Sequence, residues 1–406
     1  MHACQRDSGK GRDVRPSNIN GIPLKVPAAL AGILPVGSGT LLFPFEPSAF
    51  TGIAAVLRPG GIAFDVGASY GVITALMAHI VGPQGRVYAF EANQAPLHKA
   101  REFVAANEFT DRVIFIHACV GERSSGDVEF FVAPGFASVA SSRNPGISRN
   151  LEGVDSTRVA SLSLDDYCTQ MQVTPECIKL DIEGSEYVAL QGAFRTLKRH
   201  QPDLIMETHG QEISGIGGSV SELCDVLEGL GYSIFDLEQG ALVTPKQYAE
   251  TYPGRIGYLL ASTRLEDRHF VQMLVEERLK ELARIEESLR VRQKLDAARE
   301  HVNSGRASEA MSLLTDFLRQ IPEHAEGNYL MAYCLHSTRT QPEAALEYYH
   351  LALECGFDEF WVRYSRGALY LELGDRKSAL GDLMRAQELN PSHEGPAAYL
   401  EHLLNS

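Results

Sequence analysis

From Gly60 onward, short apolar runs alternate with amphipathic stretches. The runs Ile62-Ala63-Phe64, 86–90, 113–117, 127–132, 177–182, 203–207 and 232–236 read as strands, being brief and rich in β-branched and aromatic residues. Between them, 72–80, 94–107, 185–198 and 219–230 repeat apolar positions every three to four residues, the period of a helix with one buried face. Alternating strands and helices predict right-handed crossovers, a largely parallel sheet and an α/β fold. A last apolar run, 256–261, is placed to join that sheet as an antiparallel partner of the strand before it. Residues 136–156 break the rhythm. They are rich in Ser, Gly, Asn and Arg, and suit either a collar beside a cleft or a solvated connection.

Past Arg264 the strand pattern stops. Residues 266–302 are charged, amphipathic and short of helix breakers, predicting one long helix or two in tandem. A repeat follows. Gly305, Thr340 and Gly374 are each followed five residues on by Ala310, Ala345 and Ala379, and seven later by Phe317, Ala352 and Ala386. Small residues at fixed helical spacing let paired helices approach closely and stack. The pattern resembles tetratricopeptide repeats over roughly 293–394. The third copy fits best, with Gly367, Tyr370, Gly374, Ala379, Ala386 and Pro391; Ala298 and Tyr333 stand where Gly367 does in the other two.

The chain of 406 residues exceeds one ordinary domain, and 44% hydrophobic with 22% charged residues is enough for packed cores. A net charge of −15 argues against binding a phosphate backbone, so no nucleic-acid partner is expected. Seven scattered cysteines without a Cys-x-x-Cys pair point to neither a disulfide framework nor structural zinc, and fit a reducing, cytoplasmic setting. Residues 26–45 are uncharged, but Pro27, Pro35 and Pro44 with Gly32, Gly37 and Gly39 break any spanning helix. Short strands and turns are expected there instead, with no membrane span. The polar first fifteen residues are expected to be a flexible tail.

Two motifs carry chemistry. In Phe64-Asp65-Val66-Gly67-Ala68-Ser69-Tyr70-Gly71 a strand meets a carboxylate, then two glycines four apart, then a helix. Such turns bind nucleotide-like cofactors at the edge of a doubly wound sheet. Glu91 ends the next strand, 91 − 71 = 20 residues past the last glycine, where a carboxylate accepts from ribose hydroxyls. The second motif, Leu180-Asp181-Ile182-Glu183-Gly184-Ser185-Glu186, crowds acids at another strand end on the same edge. Asp181 and Glu183 read as functional and Ser185 as a helix N-cap, whereas Glu186 reads as a solvated acid near that cap. Glu207 and His209, two apart at a strand end, face the same way.

"FDVGASYGVITALMAHIVGPQGRVYAFEAN", "SLSLDDYCTQMQVTPECIKLDIEGSEYVALQGA" and "PDLIMETHG" resemble FkbM-type S-adenosylmethionine-dependent methyltransferases over about residues 40–262. The resemblance implies a seven-stranded class I methyltransferase fold (Rossmann-like, mostly parallel) and methyl transfer to a hydroxyl of a sugar, glycolipid or small natural product. It implies that Asp65, Gly67, Ser69, Gly71 and Glu91 hold the cofactor, with Ala118 and Cys119 at its adenine. Ser69 stands where the family usually has asparagine. Asp181 is then the first choice for base or orienter of the acceptor hydroxyl, with Glu207 and His209 next. Asp181, Glu183, Glu207 and His209 also have the chemistry to hold a divalent cation, but their spacing follows no strict ligand pattern and no metal is expected. The expected organisation is a flexible 1–17, a methyltransferase domain 18–263, a helical linker 264–292 and a repeat domain 293–406 that binds a protein partner or self-associates. Two other readings are a nicotinamide-dependent oxidoreductase and an inactive repeat-containing adaptor.

Overall fold

The computed structural model describes residues 14–27, 30, 36–37, 40–41, 45–132 and 155–405. It divides into two compact units, one centred on 45–283 and the other on 284–406.

The first unit is built on an eight-stranded sheet. Its strands are β1 (Ile62–Val66), β2 (Arg86–Glu91), β3 (Val113–His117), β4 (Cys177–Leu180), β5 (Asp203–His209), β6 (Ser233–Asp236), β7 (Ala241–Val243) and β8 (Ile256–Ser262). Their spatial order is β7-β6-β8-β5-β4-β1-β2-β3. Strands β3, β2, β1, β4 and β5 run parallel, and β8 lies antiparallel between β5 and β6. This is the class I methyltransferase sheet, with the short edge strand β7 added to the seven expected. The chain leaves β1 toward β2 and β3, then returns to lay β4 on the other side of β1. That reversal opens a crevice at the carboxyl ends of β1 and β4, where open α/β sheets bind ligands.

Two sequence expectations need correction. The run 127–132 is a strand but lies outside the main sheet: Ser125–Val132 pairs antiparallel with Asp155–Leu162, which also lies parallel to Cys119–Val120 in a separate three-stranded sheet. The strand Asp155–Leu162 was not anticipated, because its outward positions are polar and exposed. The helix expected over 185–198 is two, Glu186–Gln191 and Phe194–His200. A side chain at Gly192 would meet the Gly121 carbonyl at 2.0 Å, so the chain breaks where another backbone segment passes. The segment 136–154 and the first thirteen residues lie outside the described residues. Short strands do stand at Val36–Gly37 and Thr40–Leu41, and among the described residues no helix is long and apolar enough to cross a membrane.

Strand periodicity gives the sheet two different faces. Phe64, Val66, Ile178, Leu180, Leu204 and Met206 project into one large apolar core. Each such fully buried side chain contributes about 1.5–3 kcal/mol relative to exposure. The opposite face carries Asp65, Lys179, Ile205 and Glu207 and is covered by α1 (Pro47–Val56) and α2 (Val72–Val81). At Gly52 of α1 an added Cβ would lie 2.9 Å from Ile205, so helix and sheet touch there almost backbone to side chain.

The second unit is helical. The single helix Arg268–Asn303, which begins among the residues of the first unit, leads into helical hairpins whose first helices start at Ala307, Pro342 and Arg376 and whose second helices start at Ala325, Glu359 and Glu394. These starts recur every 34 or 35 residues, the period read from the sequence. Ala310, Ala345, Ala379, Phe317, Ala352 and Ala386 are all fully buried at the hairpin contacts. In the second copy the left-handed turn residue is Arg339 (φ 55°) rather than Thr340.

Candidate active site

The turn after β1 places its polar groups with local partners. Gly67, Ser69 and Gly71 all have positive φ, at 88°, 48° and 79°. Gly67 has to be glycine for a reason that sequence alone did not show: an added Cβ would sit 1.8 Å from the Asp181 carbonyl oxygen. Gly71 is likewise pressed against Ala100, at 2.8 Å. Glycine is therefore required here by the protein's own packing. Asp65 is fully buried below the turn; Oδ2 accepts from Thr74 at 2.5 Å, and Oδ1 has no hydrogen-bond partner. Glu91 accepts from the Ser69 amide (2.8 Å) and the Asn93 amide (2.7 Å). Burial raises the Glu91 carboxyl to about 7 against the pull of those amides; Asp65 is also raised, by burial first, with Lys179 and Thr74 opposing. Ala118 donates its amide to the Glu91 carbonyl, while Cys119 packs with Phe130 and Val159.

The second motif forms a cluster of charges around the ends of β4 and β5. Asp181, the first choice for base or orienter, and Glu207 and His209, the second, converge: one ligand-capable atom from each lies within 4.8 Å of the others. Glu183, at φ 54°, brings Oε2 to 3.4 Å from His209 Nε2. Glu186 is not the solvated acid expected. It is 0% exposed, accepts from the Ile182 and Gly184 amides (both 3.1 Å) and holds His209 Nδ1 at 3.1 Å. Ser185 occupies the N-cap position but makes no side-chain cap. Three further residues were not anticipated. Lys179 sits at 3.0 Å from Asp181 and 3.5 Å from Glu46, and Tyr258, in register with Glu207 across β8, hydrogen-bonds it. A lysine inside the apolar run of β4 was the one available signal; Glu46 and Tyr258 lie too far away in sequence to give any.

Protonation sorts the roles. Burial raises Glu207 to about 9, reinforced by the neighbouring Asp181 charge. Burial would also raise Asp181, but Lys179 and His209, with hydrogen bonds from Lys179 and Glu207, leave it below its ordinary value. Burial disfavours the His209 imidazolium, yet Glu186, Asp181 and Glu183 outweigh it and lift His209 to about 10. At neutral pH the cluster therefore holds an ionised Asp181, a protonated Glu207 that hydrogen-bonds to it, and a cationic His209.

Residues 65–234 match the methyltransferase FkbM domain, and the chain carries such a domain. A 93-residue stretch is 33% identical to a protein-L-isoaspartate O-methyltransferase from Ignicoccus hospitalis, covering 23% of this chain and 42% of that protein. The chain thus spans less than half the length of that curated relative. Among solved structures, a methyltransferase FkbM from Methylobacillus flagellatus is 18% identical, with 54% of this chain and 56% of that one covered and a TM-score of 0.32. Aeropyrum pernix fibrillarin with bound S-adenosyl-L-methionine is 12% identical, with 53% and 76% covered and a TM-score of 0.31.

Proposed function

With an FkbM domain in the chain as premise, we propose that the protein transfers a methyl group from S-adenosylmethionine to a hydroxyl oxygen of a small-molecule or glycan acceptor. One observation carries this reading. The glycine turn and the acid cluster meet along a single backbone contact, Gly67 against Asp181, so a donor seated on the turn would lie beside the group that handles the acceptor.

The residues fit the cofactor. Asp65 keeps one carboxylate oxygen without a partner beneath the turn, and Glu91 is anchored by two amides at the end of β2, where its remaining lone pairs suit ribose hydroxyls. When bound, the cofactor supplies an electrophilic methyl on a sulfonium. The protein's part is to orient the acceptor hydroxyl and take its proton. Asp181 is the group for this, being the one of the three converging residues that offers an ionised carboxylate. Glu207 already carries a proton and steadies Asp181 by donating to it, and His209 serves as the counter-charge, not as the base. Replacing Asp181 with Asn should abolish transfer of labelled methyl into an acceptor-bearing extract while leaving S-adenosylmethionine affinity, read by calorimetry, almost unchanged. Full turnover in that variant would remove Asp181 from the mechanism.

The convergence of Asp181, Glu207 and His209 favours a second reading of the same centre, a divalent cation that orients the acceptor hydroxyl. Binding there would have to displace the protons of Glu207 and His209. Chelation that leaves transfer intact speaks for protons; loss restored by magnesium or manganese speaks for the cation. An oxidoreductase would set a pyrophosphate over buried Asp65, so heat with S-adenosylmethionine and none with NAD separates the two. For the helical unit, exposed Tyr333, Trp361 and Met384 support a role in binding a protein partner or a second copy of the chain. Sedimentation of the full chain decides whether it self-associates.

A further inference from the structure

We propose that Lys179 is a positioning residue of the transfer site, holding the Asp181 carboxylate in place with Glu46 as the counter-ion that seats it. The inference rests on the methyltransferase reading and adds two residues to it. Lys179 is only 2% exposed, in the middle of β4. A buried ammonium is costly unless it is paired and hydrogen-bonded, and a methionine of similar length would fill the same space without that cost. Strand register puts Lys179 beside Asp65 on β1 and Ile205 on β5, all on the face that α1 and α2 cover. From there Nζ reaches forward to Asp181 Oδ2 at 3.0 Å and across to Glu46 Oε2 at 3.5 Å.

The main chain of Asp181 is already fixed. Its amide donates to the Val66 carbonyl at 3.0 Å, and its own carbonyl lies against Gly67. What remains free is the side-chain torsion, and this is what Lys179 sets. Without the ammonium, Asp181 keeps its Glu207 hydrogen bond but faces Glu46 and Asp65 with no cation between them, and its carboxylate has reason to turn out of place. Glu46 supports the arrangement from outside the matched domain. It is the residue before α1, with left-handed φ 41° and ψ 61°, a conformation unfavourable for a non-glycine residue and retained where the surroundings impose it. That conformation brings its carboxylate to 3.5 Å from the Lys179 ammonium.

The test uses the full chain as wild type, Lys179→Met, Lys179→Arg and Glu46→Gln. Each is titrated with S-adenosylmethionine by calorimetry and assayed at saturating donor for labelled methyl transfer to the acceptor-bearing fraction. Misplacing a reacting group by an ångström costs on the order of 100-fold, so Lys179→Met should lose about that much in rate and Lys179→Arg should recover part of it. Glu46→Gln should fall between wild type and Lys179→Met. Donor affinity should stay within roughly threefold throughout, since no cofactor contact is removed. A Lys179→Met enzyme with wild-type rate overturns the proposal, as does one whose rate and donor affinity fall together. If Lys179→Met does not fold, Lys179→Arg and Glu46→Gln decide: wild-type rates in both overturn it, and a rate loss at constant affinity supports it. A wild-type chain that binds no donor removes the methyltransferase reading, and the proposal with it; a working wild type matched by Lys179→Met removes the proposal alone.

Discussion

The two halves of the sheet's ligand edge are built on opposite principles. At β1 and β2 the polar groups find partners within one strand-turn-helix-strand unit: Thr74 for Asp65, and the Ser69 and Asn93 amides for Glu91. At β4 and β5 partners also come from distant parts of the chain, with Glu46 against Lys179 and Tyr258 against Glu207. The first half is a backbone shape with two acids attached. The second is a charge balance assembled by the tertiary fold. A cofactor site can be made by local geometry alone, whereas a site that must keep Asp181 ionised among several acids needs cations closed around it.

The sharpest way to break the comparison is at the contact both halves share. Gly67→Ala should destabilise the α/β unit by about 3 kcal/mol or more, since the added methyl meets a carbonyl at a positive-φ position; circular-dichroism melts would show it. Next, Glu91→Ala should weaken S-adenosylmethionine binding by roughly 100-fold, the loss of charge-assisted hydrogen bonds, with Asp181→Asn leaving binding within about threefold. Equal losses in calorimetry would mean the halves are not separate.

The halves should also part in their response to pH. Both Glu91 and Glu207 have folded-state values raised above the ordinary 4.5, so the folded form holds their protons longer. Each contributes stability that is complete below 4.5 and lost as pH rises through its folded value, about 7 for Glu91 and about 9 for Glu207. The ligand-free protein should melt lower as pH climbs from 6 to 9, by a few degrees on the scale of ~2–4 °C per kcal/mol for a unit of this size. Glu91→Gln should flatten the lower part of that slope, and Glu207→Gln the upper part. A melting temperature that rises over this window would contradict both assignments. The smallest effect is expected at Ser69→Gly. Relief of the left-handed strain and the greater freedom of the unfolded chain nearly cancel, so stability should move by no more than about 0.5 kcal/mol in denaturant titrations.

The same contrast explains what the sequence disclosed. Most sheet strands, the helices after β1 and β2 and the repeat period were legible because each is written in local periodicity. The turn was legible because glycine spacing and Glu91 lie within one strand-helix-strand unit. Asp181, Glu207 and His209 were legible as residues and as neighbours at strand ends. Their protonation was not, since it depends on Lys179, Glu186 and Tyr258 closing around them. Glu186 was misjudged because an acid one step into a helix is usually wet, and only the fold shows it sealed under His209. The strand at 155–162 was missed because its polar face outweighs the few buried positions that hold it.

Anyone wishing to produce the sheet unit by itself would be tempted to stop soon after the last strand, near residue 264. The first turns of the following helix advise otherwise. Phe270 and Leu274 are buried there, and Arg278 donates to the Ser48 hydroxyl and the Glu238 carbonyl, each at 3.2 Å. A protein trimmed at 264 would bare that greasy seam and tend to clump, whereas one carried on through Ala283 keeps its own lining.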